Sequence, residues 1–227
     1  MRSFIYRLFS LLLPLSILLS ACSEKGSDQP HQATLYDICE VASAEESQNP
    51  ILYLYRPDAN NPIVLTAQPG ILGNPAPEVG TAILAAYIPQ NGKPYTDDNI
   101  TILNWAQITN LDIQQAKKTE DITGWDSDPV WLMSAWRAGN KICMRLRLGY
   151  ESEPRKFSLI IDPETIDDEI PTAYLYHQRP TSAPTFDRQY YIAFDIADIW
   201  NRQEVSGLRI CIANSANPDL STLLFKK

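Results

Sequence analysis

The chain has 227 residues and carries 27 acidic against 19 basic residues, a formal charge of −8. That balance argues against nucleic acid as a partner and against electrostatic docking on anionic lipid head groups, both of which call for clustered Lys and Arg. The length admits one large domain or two small ones.

The N-terminal segment Met1–Arg7 holds Arg2 and Arg7 and no acid, and an apolar run from Leu8 to Ala21 follows it. A basic segment, an apolar run and small residues at its end are the layout of a secretory signal. A retained transmembrane helix is the alternative, but the run is shorter than the roughly 20 residues that a span needs, and Pro14, Ser10, Ser16 and Ser20 weaken it. Leu19-Ser20-Ala21-Cys22 resembles the bacterial lipobox, a small-residue cleavage site directly before a cysteine whose thiol takes a diacylglycerol. Residues 1–21 are therefore predicted to be a lipoprotein signal peptide and Cys22 the lipidation site. An ordinary signal peptide with a coincidental cysteine is the other reading. The expected location is the cell envelope, lipid-anchored at the outer membrane, with the periplasmic and surface faces both open. Residues 22–33 are polar, contain Gly, Ser and Pro, and read as a flexible tether.

Beyond the tether the pattern is all-β. Short β-branched and aromatic runs recur between Pro, Gly, Asn and Asp. Strands are expected near Thr34–Val41, Ile51–Tyr55, Ile63–Ala67, Thr81–Ile88 and Ile100–Asn104, with the chain continuing to Asp112. A second series falls near Val130–Arg137, Lys141–Tyr150, Lys156–Ile161, Thr172–His177, Gln189–Asp195, Leu208–Ala213 and Thr222–Phe225. The segment Gln114–Asp121 is polar and featureless, and the domain boundary is placed there: a β-barrel domain over 34–116 and a seven-stranded β-sandwich over 117–227. Ile196–Trp200 reads as a single helical turn.

One hairpin can be registered. Gly139-Asn140 is a two-residue turn signal between two apolar-alternating runs. Pairing Ala138 with Lys141 sets Ala135 opposite Met144, Met133 opposite Leu146 and Trp131 opposite Leu148. With Ile142 these make one apolar face, predicted to be core. The other face carries Leu132, Ser134 and Trp136 against Arg147, Arg145 and Cys143.

This hairpin region, Ser127-Asp128-Pro129-Val130-Trp131-Leu132-Met133-Ser134-Ala135-Trp136-Arg137-Ala138-Gly139-Asn140-Lys141-Ile142, resembles the opening of the C-terminal domain of NigD-like lipoproteins. So do Leu175-Tyr176-His177-Gln178 and Tyr191-Ile192-Ala193-Phe194-Asp195-Ile196. Val79-Gly80-Thr81-Ala82-Ile83-Leu84-Ala85-Ala86-Tyr87 and Ile108-Thr109-Asn110-Leu111-Asp112-Ile113 are similar to segments of that family's first domain. Ala138 departs from the second Gly usual in the family's turn. The resemblance implies an OB-like N-terminal domain, a C-terminal β-sandwich, a lipid anchor and an accessory role in a bacteriocin operon, with no catalytic residues to carry over.

The chemistry in the sequence is sparse. The histidines are His31 and His177, and no His-x-x-x-His or Cys-x-x-Cys spacing exists, so no metal or other cofactor is expected. His177 is either a hydrogen-bonded strand-end residue or a functional one. Asp167-Asp168-Glu169 is either a solvated loop or an acid cluster able to cleave glycosides or bind calcium. Cys143 and Cys211 share the outward parity of their strands; a disulfide between them and two separate thiols are the open readings, with Cys39 unpaired either way. Trp136, with Arg145 and Arg147 nearby, could stack on a sugar ring or peptide, or be covered by a loop or the first domain; Tyr174 and Tyr176 invite the same two readings. The function expected is a non-enzymatic, lipid-anchored envelope protein that binds a protein or glycan of the envelope or an exported ligand. A polysaccharide-acting enzyme using Asp167, Asp168 or Glu169, and a structural subunit of a surface assembly, are the alternatives.

Overall fold

Alternation along the first strand sets the architecture. In β1 (Leu35–Ser43) the buried Cys39 and Val41 share one parity, while Ile38 and Glu40 share the other. The computed structural model describes residues 33–45, 48–117 and 127–227; the predicted signal peptide, Cys22 and His31 lie outside them. β1 continues into β2 (Ile51–Leu54), β3 (Ile63–Thr66), β4 (Ala82–Pro89) and β5 (Asp98–Gln107), which close into a barrel in the order β1-β2-β3-β5-β4. All neighbours pair antiparallel except the short parallel contact of β3 with β5. The barrel interior is filled by Cys39, Val41, Leu52, Leu54, Leu65, Ile83, Ala85, Tyr87, Ile100 and Ile102, with Leu72 from the β3–β4 connection packed among them. This is the OB-like barrel of an all-β fold.

The second lobe is a sandwich. β8 (Trp131–Ala138), β9 (Lys141–Gly149) and β12 (Asp187–Asp195) form one sheet with β6 (Thr109–Asp112), in the order β6-β12-β9-β8. β10 (Lys156–Ile161), β11 (Thr172–Gln178), β13 (Gly207–Cys211) and β14 (Thr222–Lys226) form the other with β7 (Gln114–Gln115), in the order β14-β13-β11-β10-β7. The core between the sheets is built from Ile142, Met144, Leu146, Leu159, Ile161, Leu175, Ile192, Phe194, Leu208 and Ile210. The predicted helical turn is α1 (Ala197–Trp200), with Ile196 at its N-cap; just before it the Asp195 carboxylate accepts from the backbone N–H of Ala197 at 2.9 Å.

Two expectations are corrected. Residues 109–115 do not close the first domain. β6 pairs parallel with β12 and β7 pairs parallel with β10, so residues 109–115, read as the end of the first domain, run from one sheet of the sandwich to the other; residues 118–121 of the polar stretch Gln114–Asp121 lie outside the described residues, and among those described the sandwich has nine strands rather than seven. The signal was absent because β7 contributes only two glutamines, both exposed. The boundary between lobes lies before Thr109.

The hairpin register holds on β9 but not along the whole of β8. Ala138 faces Lys141 and Ala135 faces Met144 as expected, but a bulge at Met133 places Leu132 opposite Leu146 and Trp131 opposite Arg147. The cause lies at the start of the strand. Val130 is buried and bridged to the chain after β13: its N–H donates to Ala213 O at 2.8 Å, and Leu132 N–H donates to Asn214 Oδ1 at 3.3 Å. Val130 and Leu132 must face the core, yet Ala135 must face it too, and only one extra residue reconciles the two parities. Trp131 and Met133 are exposed as a result, with the Arg147 guanidinium 5.2 Å from the Trp131 ring centroid. Arg145 and Arg147 keep their outward positions.

Candidate functional site

The barrel packs on the hairpin end of the four-stranded sheet. Ile38, Ala82 and Ile108 meet Ala138, Cys143 and Ala193, with Tyr55, Leu84, Trp136 and Tyr191 around them. Cys143 has the outward parity expected of it, but the surface it points to is covered. Its thiol is buried and pushed up to about 12, chiefly by loss of solvent. Three polar clamps surround this apolar contact. Lys141 Nζ lies 2.8 Å from Asp195 Oδ2 and 3.5 Å from Glu40 Oε2 of the barrel. Burial opposes its charge, but the two carboxylates outweigh that and hold the ammonium above its ordinary range. The side-chain amide of Asn110 accepts from Ala82 N at 2.8 Å and donates to Ala82 O at 2.9 Å, so it pairs with the barrel backbone as a strand would.

The third clamp is Arg137. Its side chain is 2 % exposed and it enters none of the ion pairs among the described residues. Nη1 donates to Gly139 O at 2.9 Å and Ala59 O at 3.4 Å; Nη2 donates to Asp58 O at 2.8 Å and Asn60 Oδ1 at 3.0 Å. The guanidinium also lies over Trp200, 5.1 Å from the ring centroid. It therefore fastens the β2–β3 loop of the barrel to the turn of the sandwich hairpin. Sequence reading passed over it, although its parity with Ala135 put a cation on an otherwise apolar face. The approach is close because position 139 is glycine. Gly139 has φ +58, which favours glycine, and a Cβ there would stand 2.8 Å from the Tyr55 ring.

Where the two lobes meet at the mouth of the barrel, a cleft of about 280 Å³ opens between Asp37, Leu54, Tyr55, Arg56, Tyr95 and Trp136. Asp37 has the parity of the barrel-filling Cys39 and Val41, so its carboxylate sits at the rim of the interior. The hydroxyl of Tyr87, a buried side chain, donates to Asp37 Oδ2 at 3.0 Å. Loss of solvent is the largest influence on Asp37 and holds its pKa above the ordinary range, against the pull of the Tyr87 hydroxyl and the Arg56 charge. Burial likewise drives the Cys39 thiol and the Tyr87 phenol upward, so both stay protonated. Arg56 lies 4.6 Å from the centroid of Tyr95. Tyr95 has φ +61, a strained conformation for a residue with a side chain, costing about 1–3 kcal/mol. The loop around it is tied by three hydrogen bonds: Asn91 N–H donates to Asp98, Lys93 N–H to Asn91, and Val64 N–H to Asp97.

The other sequence candidates are scattered. Trp136 is half-buried in the cleft wall, partly covered by the first domain. Arg145 Nε donates to Gln189 Oε1 and Arg147 Nε to Asp187 Oδ2, each at 3.1 Å, further along the same face as it emerges from under the barrel. Tyr174 and Tyr176 lie on the opposite sheet, where with Cys211, Ser127, Ser221 and Thr222 they line a separate groove of about 270 Å³. Cys143 and Cys211 are free thiols on different sheets of the sandwich, so the disulfide reading is corrected; Cys39 is free as well. Asp167 is bound to Arg202 at 3.0 Å on an exposed loop, with Asp168 and Glu169 exposed beside it.

His177 is structural. It is fully buried and stacked on Phe157 at 4.9 Å between centroids. Arg155 Nη1 lies 2.9 Å from Nε2 and Asp128 O lies 3.0 Å from Nδ1. A guanidinium only donates, so Nε2 accepts and Nδ1–H donates to the carbonyl. Arg155 is in turn paired with the buried Glu151 at 2.7 Å. Burial first, and the Arg155 charge with it, hold the imidazole below its ordinary 6.5. The unfolded chain then binds the proton more readily than the folded one. Stability from this group is complete above pH 6.5 and is lost as the pH falls toward the folded value. Melting temperatures at pH 7.5 and 5.5 are expected to fall with acidity, and to fall less in His177→Gln; an equal fall in both proteins would remove His177 from the explanation.

No family model matches the chain, and no curated protein matches it. Solved structures do. A protein of unknown function from Bacteroides vulgatus aligns over 86% of this chain and 90% of its own, with TM-score 0.66 and 14% identity. A NigD-like immunity protein from Bacteroides caccae aligns over 85% and 91%, with TM-score 0.58 and 14% identity. A candidate lipoprotein from Bacteroides fragilis aligns over 85% and 95%, with TM-score 0.54 and 12% identity. The chain is thus similar in fold to NigD-like and lipoprotein structures across both lobes.

Proposed function

We propose that this chain is a lipid-anchored, non-enzymatic protein of the bacterial cell envelope, held to the membrane through Cys22, that binds an envelope component or an exported ligand in the cleft at the barrel mouth. One observation carries the reading: a carboxylate partly withdrawn from solvent, accepting one side-chain hydrogen bond among the described residues, stands at the rim of a cleft walled by Tyr55, Tyr95 and Trp136. The words immunity and lipoprotein in the names of two fold neighbours fit such a role, and capture of an exported toxin is one case of it. A polysaccharide-cleaving site is less well supported, because Asp167 is tied to Arg202 and the His177 ring is fully engaged.

A photo-crosslinking amino acid at position 95, in intact cells, tests the reading against the same group at the exposed position 224 on β14. Adducts specific to position 95 are expected. Identical adducts at both positions, or none at 95, would remove the cleft as the binding site.

A further inference from the structure

We infer that the cleft takes a neutral, hydroxylated sugar ring, an assignment that rests on the cleft being the binding site. Asp37 presents an acceptor and Arg56 presents donors in one cleft, and the Arg56 guanidinium makes no hydrogen bond or ion pair among the described residues, resting only on the Tyr95 ring. A cationic side chain would meet the Arg56 guanidinium. A phosphate or carboxylate would meet Asp37, whose charge is already costly there. The group that satisfies both carries donors and acceptors together and no net charge. Vicinal hydroxyls do this, donating to the carboxylate and accepting from the guanidinium.

The walls complete the match. Tyr55, Tyr95 and Trp136 line the cleft with aromatic side chains, one of them carrying Arg56, and a pyranose presents an apolar face of C–H groups that packs on such rings while its hydroxyls reach outward. Tyr95, at positive φ, stands in a loop whose neighbouring residues are tied by the Asn91–Asp98 and Lys93–Asn91 hydrogen bonds, and Trp136 is packed between the barrel and β9. A side chain held in place before binding loses little freedom when the ligand arrives. Trp136 belongs to the sandwich and Asp37 to the barrel, so the site exists only while the lobes are clamped.

The test uses the full-length chain with its native N-terminus, extracted in mild detergent. It is presented with immobilised neutral gluco-, galacto-, manno- and N-acetylglucosamine oligosaccharides, a lysine-rich peptide and polyglutamate. Retention of a neutral oligosaccharide is expected, with affinity lowered about tenfold or more by Asp37→Asn and by Trp136→Ala, and unchanged by Leu224→Ala. Asp37→Asn keeps an acceptor for the Tyr87 hydroxyl. Because the folded-state pKa of Asp37 is raised, its ionisation above that pKa subtracts stability. The asparagine variant is therefore expected to melt no lower than the parent at pH 7, which separates lost binding from lost folding. Asp37-dependent retention of the lysine-rich peptide alone would overturn the sugar assignment and leave the cleft as the site. Retention of no saccharide, with a protein captured at position 95, would overturn it likewise. No retention of any probe together with no adduct at position 95 would take both readings down.

Discussion

Arg137→Leu is expected to lower the melting temperature of the barrel–sandwich unit by about 10 °C, corresponding to a loss of roughly 3–4 kcal/mol for a unit of this size. The charge of Arg137 is buried without a carboxylate, so its removal relieves a desolvation cost. The acceptors decide the sign. Gly139 O, Asp58 O, Ala59 O and Asn60 Oδ1 all receive hydrogen bonds from this one guanidinium, and leucine returns none. Asp58 and Asn60 are exposed and water recovers part of their loss, whereas Ala59 and Gly139 are half-buried, and an acceptor left unpaired away from water costs about 1–3 kcal/mol. The β2–β3 loop cannot readily turn its carbonyls outward, because Asp58 sits at φ +62 and its N–H is bound to Arg137 O. The packing over Trp200 is lost too. Arg137→Lys keeps the charge but cannot spread donors over four acceptors, and should fall between parent and leucine. Differential scanning calorimetry decides the matter. A leucine variant that melts within a degree or two of the parent would show the clamp to be energetically idle. Partial proteolysis provides a local readout, with cleavage at the Asp58–Asn60 loop expected to appear first in the leucine variant.

Cys22→Ala is expected to abolish fatty-acid incorporation and free the protein from its lipid attachment. Two or three acyl chains hold a protein on a bilayer stably, whereas one gives only marginal binding, at about 0.8 kcal/mol per buried CH₂. The formal charge is −8, which does not favour anionic head groups, and no helix among the described residues is long and apolar enough to cross a membrane. Growth in labelled palmitate, followed by membrane fractionation and mass spectrometry of the N-terminal peptide, gives the measurement. The parent should carry label on Cys22 and lack residues 1–21, and the variant should carry none. An unlabelled parent that retains Met1 would end the anchoring proposal, while leaving the cleft and its ligand to be judged on their own tests.

How much was legible in the sequence differs element by element. The strands from Leu35 to Gln107 and from Trp131 to Lys226 were readable because period-2 alternation and Gly, Pro and Asn punctuation are local signals. The turn at Gly139-Asn140, the helical turn before Trp200 and the outward parity of Cys143, Arg145 and Arg147 followed from the same short-range rules. β7 was not readable, since two exposed glutamines pair only because β10 lies beside them. The bulge at Met133 was not readable either, because it settles a conflict between Val130, held by the chain after β13, and Ala135, held by β9.

The site shows the same division. Trp136 could be singled out as an aromatic on a polar face, but its neighbours in the cleft could not. Asp37, Arg56 and Tyr95 come from three separate places in the barrel, and Trp136 comes from the sandwich. Sequence fixes the parity of a side chain, which is a property of its own strand. Whether the surface it points to is open water, as for Arg147, or the flank of another lobe, as for Cys143, depends on the packing of barrel on sandwich, and that packing rests on contacts between residues dozens of positions apart.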